Sequence, residues 1–212
     1  MSRINWPPLP ELWREVSLGA VAKIIMGQSP PGESYNQSGK GLPFFQGKSE
    51  FGELEPSAKN WCTKPSRIAE KGDILISVRA PVGPTNIAPD KSCIGRGLAA
   101  IHPESSIIDR DYLLYYLRFA EKAIASIGQG STFEAINKRD LHDLRVALSP
   151  LPEQKRIVEI LKQANALRRR RLEILDQAKQ LPTALFLEMF GDPESWSQNT
   201  LKESLIYSAN RS

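Results

Sequence analysis

The sequence predicts an α+β fold in which a mixed, β-rich globular unit is followed by one long, coiled-coil-forming α-helix. Two observations support this prediction: a sustained heptad pattern of apolar residues after Pro150, and short strand-like runs before it, separated by glycine- and proline-rich turns. We place the globular unit at 1–149, the helix at 150–191 and a C-terminal tail at 192–212. A helix of this length would measure on the order of 60 Å, which a small domain cannot bury by itself.

Both ends of the long helix are signalled. Pro152 can occupy the first turn, where a backbone N–H is not needed, and Glu153 suits the positive end of the helix dipole. Gly191 and Pro193 supply the stop, because glycine readily takes the left-handed conformation that ends a helix.

The apolar positions of this helix alternate in spacing between three and four residues, which keeps one stripe facing a partner helix. The stripe consists of Ile157, Ile160, Ala164, Leu167, Ile174, Ala178, Leu181 and Leu185, with the charged Arg171 at one position, and it is widened by Val158, Leu161, Leu172 and Leu175. A two-stranded coil needs only the narrow stripe, so the surplus predicts further helices from another partner. Packing on the chain's own globular unit is the alternative. Pro182 predicts a kink or an unwound turn, with the straight part ending near Gln180.

Within the globular unit, runs of β-branched and apolar residues predict strands at 18–26, 42–46, 74–79 and 93–101. The run at 74–79 is the clearest, because it divides between two faces: Ile74, Ile76 and Val78 on one, and Leu75, Ser77 and Arg79 on the other. Polar, glycine-rich segments predict a long loop at 27–41 and a turn at 128–133. Residues 47–70 are predicted to be irregular and anchored by Trp61.

One helix is predicted inside the globular unit, over 110–126. Asp109 can accept hydrogen bonds from the first backbone N–H groups as an N-cap. Apolar residues at helical spacing then form one face: Leu113, Leu117, Ala120 and Ile124. The apolar run at 141–148 leads to the boundary at Pro150.

Composition narrows the function classes. The net charge of +4 and the pI of about 9.1 allow a polyanionic partner. Positive charge is densest on the helix, where 151–190 hold eight Lys or Arg and five Asp or Glu. The sequence has neither a long apolar run nor the apolar core of a signal peptide, so we expect a cytoplasmic protein without a membrane span. Cys62 and Cys93 make no metal-type spacing and are expected to be reduced and buried.

Motifs for catalysis are missing from the sequence. His102 and His142 are not at metal-ligand spacing and are expected to be structural or surface residues. The Gly-Arg-Gly at 95–97 lacks the third glycine of a dinucleotide fingerprint, and a GxxxxGK[ST] phosphate loop is absent. We therefore expect a non-catalytic chain, with a hidden DNA-acting enzyme as an open alternative.

The polar residues of the loops fit DNA recognition. Gln and Asn can pair bidentately with adenine and Arg or Lys with guanine, while Lys, Ser and Thr hold phosphates. The candidates are Gln28, Ser29, Tyr35, Asn36, Gln46, Lys48, Ser77, Arg79, Arg96, Ser131, Thr132 and Lys138. Among them Arg79, Gln46, Lys48 and the 27–36 loop are favoured for base contacts. The alternative is that each is an ordinary solvated group, and for Arg79 a local salt bridge.

Seven segments together resemble a known family. They are Trp13 with Val16-Ser17-Leu18-Gly19, IMGQSP at 25–30, GDILISVRAPVG at 72–83, IGRGLAAI at 94–101, GQGSTFEAI at 128–136, LSPLPEQKRIVEIL at 148–161 and FGDP at 190–193. In this order and spacing the chain resembles half of a type I restriction–modification specificity subunit, with one target-recognition domain and one spacer helix. The resemblance implies a DNA-sequence reader without catalytic activity, which docks a methyltransferase subunit and through it a motor-nuclease subunit. It also implies no cofactor for this chain, with S-adenosylmethionine held by the methyltransferase.

The chain departs from the family pattern of two recognition domains and two antiparallel spacer helices. Residues 192–212, with Trp196, Leu201 and Leu205, resemble only the start of a second recognition domain. Whether this is a natural half-subunit or a truncation is left open. We expect an antiparallel homodimer that recognises two inverted, identical half-sites with a fixed gap. A protein–protein adaptor that never touches DNA is the rival interpretation.

Overall fold

The computed structural model describes residues 9–128 and 135–191. In these residues the strands are β1 (Arg14–Ser17), β2 (Ala22–Met26), β3 (Tyr35–Asn36), β4 (Leu42–Phe45), β5 (Asn60–Cys62), β6 (Ile68–Ala69), β7 (Ile74–Ser77), β8 (Thr85–Ile87), β9 (Ser92–Ile94), β10 (Leu98–Pro103) and β11 (Arg145–Leu148). The helices are α1 (Leu18–Val21), α2 (Arg110–Phe119), α3 (Glu121–Gly128), α4 (Lys138–His142) and α5 (Leu151–Phe190). The β-rich unit followed by one long helix confirms the predicted fold class.

Three sheets make up the globular part. A four-stranded antiparallel sheet has the order β2-β10-β7-β8, and a five-stranded mixed sheet has the order β3-β5-β4-β9-β6. In a third sheet β1 pairs antiparallel with β11, so the first and last strands of the globular unit lie side by side. The only parallel pair among the described strands is β4 with β9.

Strand β7 is buried on both faces, and its two faces enter different cores. Ile74, Ile76 and Val78 join the larger core with α2 and α3, while Leu75 joins a smaller core with Phe45. The alternation predicted for 74–79 is therefore confirmed. The strand itself ends at Ser77, earlier than predicted, and Arg79 makes only an isolated bridge to Ala135.

The helix predicted over 110–126 is present but is divided at Ala120 into α2 and α3. Asp109 is the N-cap, as predicted, and its carboxylate accepts hydrogen bonds from the N–H groups of Asp111 and Tyr112 at 2.9 and 3.0 Å. The predicted apolar face is buried as a whole in the larger core: Leu113, Leu117, Ala120 and Ile124.

Several predicted boundaries were wrong because long-range pairing overrides local preference. The run at 18–26 is the short helix α1 followed by β2, and the run at 93–101 is two strands, β9 and β10, in different sheets. The polar segment 27–41 includes strand β3, which pairs with β5. The run at 141–148 is the end of α4 followed by β11. Trp61 is only half-buried in β5, while Phe44 and Phe45 of β4 are buried.

Helix α5 begins at Leu151, close to the predicted start, and ends at Phe190. Gly191 is left-handed (φ 71°), and its N–H donates to the Leu187 carbonyl at 2.8 Å, so the predicted glycine stop is confirmed. The helix continues through Pro182 without an unwound turn, while a kink that ends the straight part near Gln180 stays a prediction. Proline removes one N–H donor, and the intact turns on either side keep the remaining hydrogen bonds.

The chain divides into two compact units, Met1–Ile160 and Leu161–Ser212, so the first ten residues of α5 are grouped with the globular unit. In the described part of the chain, no helix is both long and apolar enough to cross a membrane. Cys62 and Cys93 are free and buried, as predicted.

Candidate nucleic-acid interface

The turn Gly95-Arg96-Gly97, which joins β9 to β10, is the point where three other segments of the globular unit meet. The N–H of Gln28 donates to the Ile94 carbonyl at 3.0 Å. The N–H of Gly97 donates to the Gln46 carbonyl at 3.1 Å, and the N–H of Val78 donates to the Gly97 carbonyl at 2.9 Å. Backbone hydrogen bonds therefore hold the 27–29, 46–48 and 78–79 segments beside this turn.

Glycine is required at this turn by close backbone approach. A Cβ atom at Gly97 would lie 2.3 Å from the Gln46 carbonyl oxygen, and one at Gly27 would lie 2.1 Å from the Gly95 carbonyl oxygen. Both distances are well inside van der Waals contact, so any other residue would push the segments apart. The Gly-Arg-Gly motif, which does not fit a dinucleotide site, acts here as a backbone junction.

Six of the predicted DNA contacts surround this junction, and we call them the GRG surface: Gln28, Ser29, Gln46, Lys48, Arg79 and Arg96. Five of them are exposed, and Ser29 is half-buried. The Nε of Arg96 donates to the Ser29 hydroxyl at 3.0 Å, although the two residues are 67 positions apart in the sequence. The surface thus presents three cationic groups and two primary amides on loops held by fixed backbone contacts.

The carboxylate nearest to Lys48 along the chain is occupied by a backbone group. Glu50 accepts a hydrogen bond from the N–H of Gly47 at 3.0 Å. For the described residues, no ion pair of Lys48, Arg79 or Arg96 is formed within the chain. The local salt bridge considered for Arg79 is therefore not seen in that part of the chain, and the positive charge of the GRG surface faces solvent.

Three other predicted contacts have structural partners of their own. Tyr35 donates its hydroxyl hydrogen to the Pro30 carbonyl at 2.9 Å and stacks on Phe44 with ring centroids 4.8 Å apart. Asn36 closes a turn, accepting from the N–H of Lys40 at 2.9 Å. Ser77 is only 2% exposed, and its hydroxyl donates to the Arg79 carbonyl at 3.0 Å. Ser77 therefore positions Arg79 and is not available as a direct DNA contact.

The last three candidates belong to one further segment. Ser131 and Thr132 lie outside the described residues. Lys138 is exposed, one residue after the N-cap Asn137 of α4. Ile136, two residues before Lys138, reaches the GRG junction, because its N–H donates to the Val78 carbonyl at 3.0 Å.

The opposite end of the β7–β10 pair has a different character. Register pairs Leu98 with Ser77 at the GRG end and Ile101 with Ile74 at the other. There the Nδ1 of His102 and the buried carboxylate of Asp73 are 2.6 Å apart. In the described residues no group of His, Cys, Asp and Glu could hold a metal ion. His102 and His142 are exposed and bonded to neighbouring carboxylates, as expected for surface residues.

Comparison with known proteins decides the family. Residues 10–177 match the family model of the type I restriction modification DNA specificity domain. The chain belongs to this family. The resemblance noted from the sequence is thereby confirmed.

Relatives of this specificity-domain chain agree in sequence and in structure. A putative type I restriction enzyme MjaX specificity subunit of Methanocaldococcus jannaschii is 46% identical over 177 residues, covering 81% of this chain and 42% of the relative. The crystal structure of the HsdS subunit from Thermoanaerobacter tengcongensis matches with a TM-score of 0.71 at 46% identity, over 89% of this chain and 47% of that one. A chain from a structural study of type I R-M complex assembly matches with a TM-score of 0.74 at 48% identity, over 86% of this chain and 46% of that one. The chain thus spans about half the length of the relatives it matches.

Proposed function

We propose that this specificity domain reads one half-site of a bipartite DNA sequence through the GRG surface. The single observation that supports this proposal best is the convergence of Gln28, Gln46, Lys48, Arg79 and Arg96 from four separate segments onto one junction. Arginine and lysine can hold phosphates or pair with guanine, and the two glutamines can pair with adenine. Rigid loop positions suit base reading, because contacts made from fixed positions lose less entropy on binding.

We further propose that α5 mediates assembly. Its apolar stripe is exposed from Ile160 onward, with Leu167 and Ile174 accessible to 70 and 55%. An exposed apolar stripe at heptad spacing is buried when it packs against another helix. A second copy of α5, packed antiparallel, would supply that helix. The wider apolar set with Leu161, Leu172 and Leu175 supports recruitment of a methyltransferase subunit on the same helix.

Catalysis and cofactor binding are assigned to the partner subunits. The described residues offer no metal cluster, and the GRG surface consists of amides, cations and the Ser29 hydroxyl, which accepts a hydrogen bond from Arg96 and has no base beside it. We therefore propose that S-adenosylmethionine is used by the methyltransferase, and that this chain needs no cofactor to bind DNA.

The decisive experiment is selection from a pool of random duplexes by the purified full chain. The proposal expects a recovered motif, salt-dependent affinity, and neither cleavage nor methylation when Mg²⁺ or S-adenosylmethionine is added. Recovery of no motif together with no retention on random duplex would favour the adaptor interpretation. Cleavage or methyl transfer by the chain alone would favour the enzyme interpretation.

A further inference from the structure

Gln154, in the first turn of α5, is a fully buried polar side chain with three hydrogen bonds. It is 0% exposed. Its Oε1 accepts from the N–H of Asp109 at 2.7 Å, and its Nε2 donates to the carbonyls of Ile107 and Ser149 at 3.1 and 2.7 Å. One partner is a donor and two are acceptors, so the amide can satisfy them in only one orientation.

These bonds join the starts of two helices. Asp109 is the N-cap of α2, and its N–H is bound by Gln154 from the first turn of α5. A second tie lies beside the first, where the indole Nε1 of Trp13 donates to the Glu153 carboxylate at 3.1 Å. One turn later, Val158 is buried in the larger core. We call the hydrogen-bonded set Gln154, Asp109, Ile107 and Ser149 the Gln154 anchor.

A buried amide differs from a buried apolar residue in what it specifies. An apolar side chain gains free energy from burial over a range of orientations, whereas three hydrogen bonds are satisfied in one narrow geometry. Breaking that geometry leaves the Asp109 N–H and two carbonyls, the Ser149 carbonyl in a buried position, without these partners, which is costly. The anchor therefore defines how the first turn of α5 sits on the globular unit.

We propose that Gln154 is a positioning residue for the gap between half-sites, an inference that rests on the proposed function. A dimeric reader selects its gap only if each recognition surface is rigidly connected to its own helix. Each base pair added to the gap rotates one half-site by roughly 35° and moves it by about 3.4 Å. A loosened connection between the globular unit and α5 would let the dimer bind half-sites at several gaps, while the contacts to each half-site would stay intact.

The test compares Gln154→Met with the wild-type chain on duplexes carrying two selected half-sites at gaps varied one base pair at a time. The wild type is expected to bind its preferred gap at least about tenfold more tightly than gaps one base pair away, and Gln154→Met to narrow this ratio to about threefold or less. Affinity for a duplex with one half-site should stay within about twofold of the wild-type value. Gln180→Met is the matched control, because it makes the same change at an exposed position of α5.

If Gln154→Met does not fold, Trp13→Phe provides a milder test, because it removes the bond to Glu153 while keeping an aromatic ring beside Tyr112. Trp13→Phe should also lower the ratio between the affinity at the preferred gap and the affinity at gaps one base pair away. Equal weakening at every gap, or an unchanged preference in a folded variant, would overturn the inference. A wild-type chain that binds half-sites without any gap preference would overturn the proposed dimeric reader instead, so the two failures are distinguishable.

Discussion

Most apolar residues are buried in the globular unit and exposed on the helix beyond Ile160. In the globular unit Ile74, Leu113 and Leu117 are completely buried. Along α5 from Leu161 onward, apolar residues at equally regular spacing are exposed, Leu167 to 70%. The difference teaches that periodicity shows which face of an element is apolar, whereas burial depends on whether the same chain supplies the opposite surface.

A charge placed in the exposed stripe should have the largest effect. Ile174→Glu is expected to weaken self-association by at least roughly a hundredfold, equivalent to about 2.7 kcal/mol, since both copies would bury an unpaired carboxylate. The melting temperature of the globular unit should not change. Sedimentation velocity over a concentration series measures the first effect and calorimetry the second. Gln180→Glu, a charge off the stripe, should leave association intact, and equal association of both variants would contradict an interface at this stripe.

Truncating one leucine in each unit compares them directly. Leu113→Ala removes a fully buried side chain from the larger core and should lower the free energy of unfolding by about 2–5 kcal/mol. Leu167→Ala, at an exposed position, should change the unfolding of the globular unit by less than about 0.5 kcal/mol. Urea unfolding followed by tryptophan fluorescence measures both. A similar loss of unfolding free energy in the two variants would mean that Leu167 is as deeply buried as Leu113.

Removing one positive charge from the GRG surface should reduce DNA binding specifically. Arg96→Ala is expected to cost about 1–3 kcal/mol of binding free energy if the guanidinium reads a base. Lys71→Ala is the control, because Lys71 precedes β7 at the end away from the junction and pairs with exposed Asp90 at 3.4 Å. Fluorescence anisotropy on the selected duplex measures both. If the two variants weaken binding equally, the GRG surface is not the reader.

Loss of a helix cap tests a local feature of the globular unit. Asp109→Ala removes the acceptor for the N–H groups of Asp111 and Tyr112 and should lower stability by about 1 kcal/mol. Asp109→Asn, which retains the side-chain acceptor, should recover most of this loss. Chemical denaturation of the two variants provides the measurement. A full loss in Asp109→Asn would show that the negative charge, and not the cap hydrogen bonds, is responsible.

The rate of thiol labelling should differ between a cysteine buried in the globular unit and one placed on the exposed helix. Burial, reinforced by neighbouring Cys62, raises the pKa of the Cys93 thiol to about 12, so almost no thiolate is present at pH 8. The native protein should therefore label very slowly with a thiol reagent until it unfolds. A cysteine introduced by Ala166→Cys on the exposed helix should label quickly. Rapid labelling of Cys93 in the native wild type would contradict its burial in strand β9 of the five-stranded sheet.

Local signals were sufficient wherever the physical cause is local. Asp109 as an N-cap, Gly191 as a helix stop and the two faces of β7 each depend on neighbours a few positions away, and all three are confirmed. The helix predicted at 110–126 and the strand region predicted at 93–101 are present, but the break within each was not predicted, because it depends on packing and pairing with distant segments.

The sequence by itself determined the α+β class, the long helix with its apolar stripe, and the residue types able to contact DNA. Only the tertiary structure decided which of those residues stand together. Arg96 meets Ser29 across 67 positions, Tyr35 and Ser77 turn out to be occupied by structural bonds, and Gln154 is buried among three backbone groups. The reason is that caps and periodicities act over one or two turns, whereas these contacts exist only once distant strands have paired and closed the chain between them.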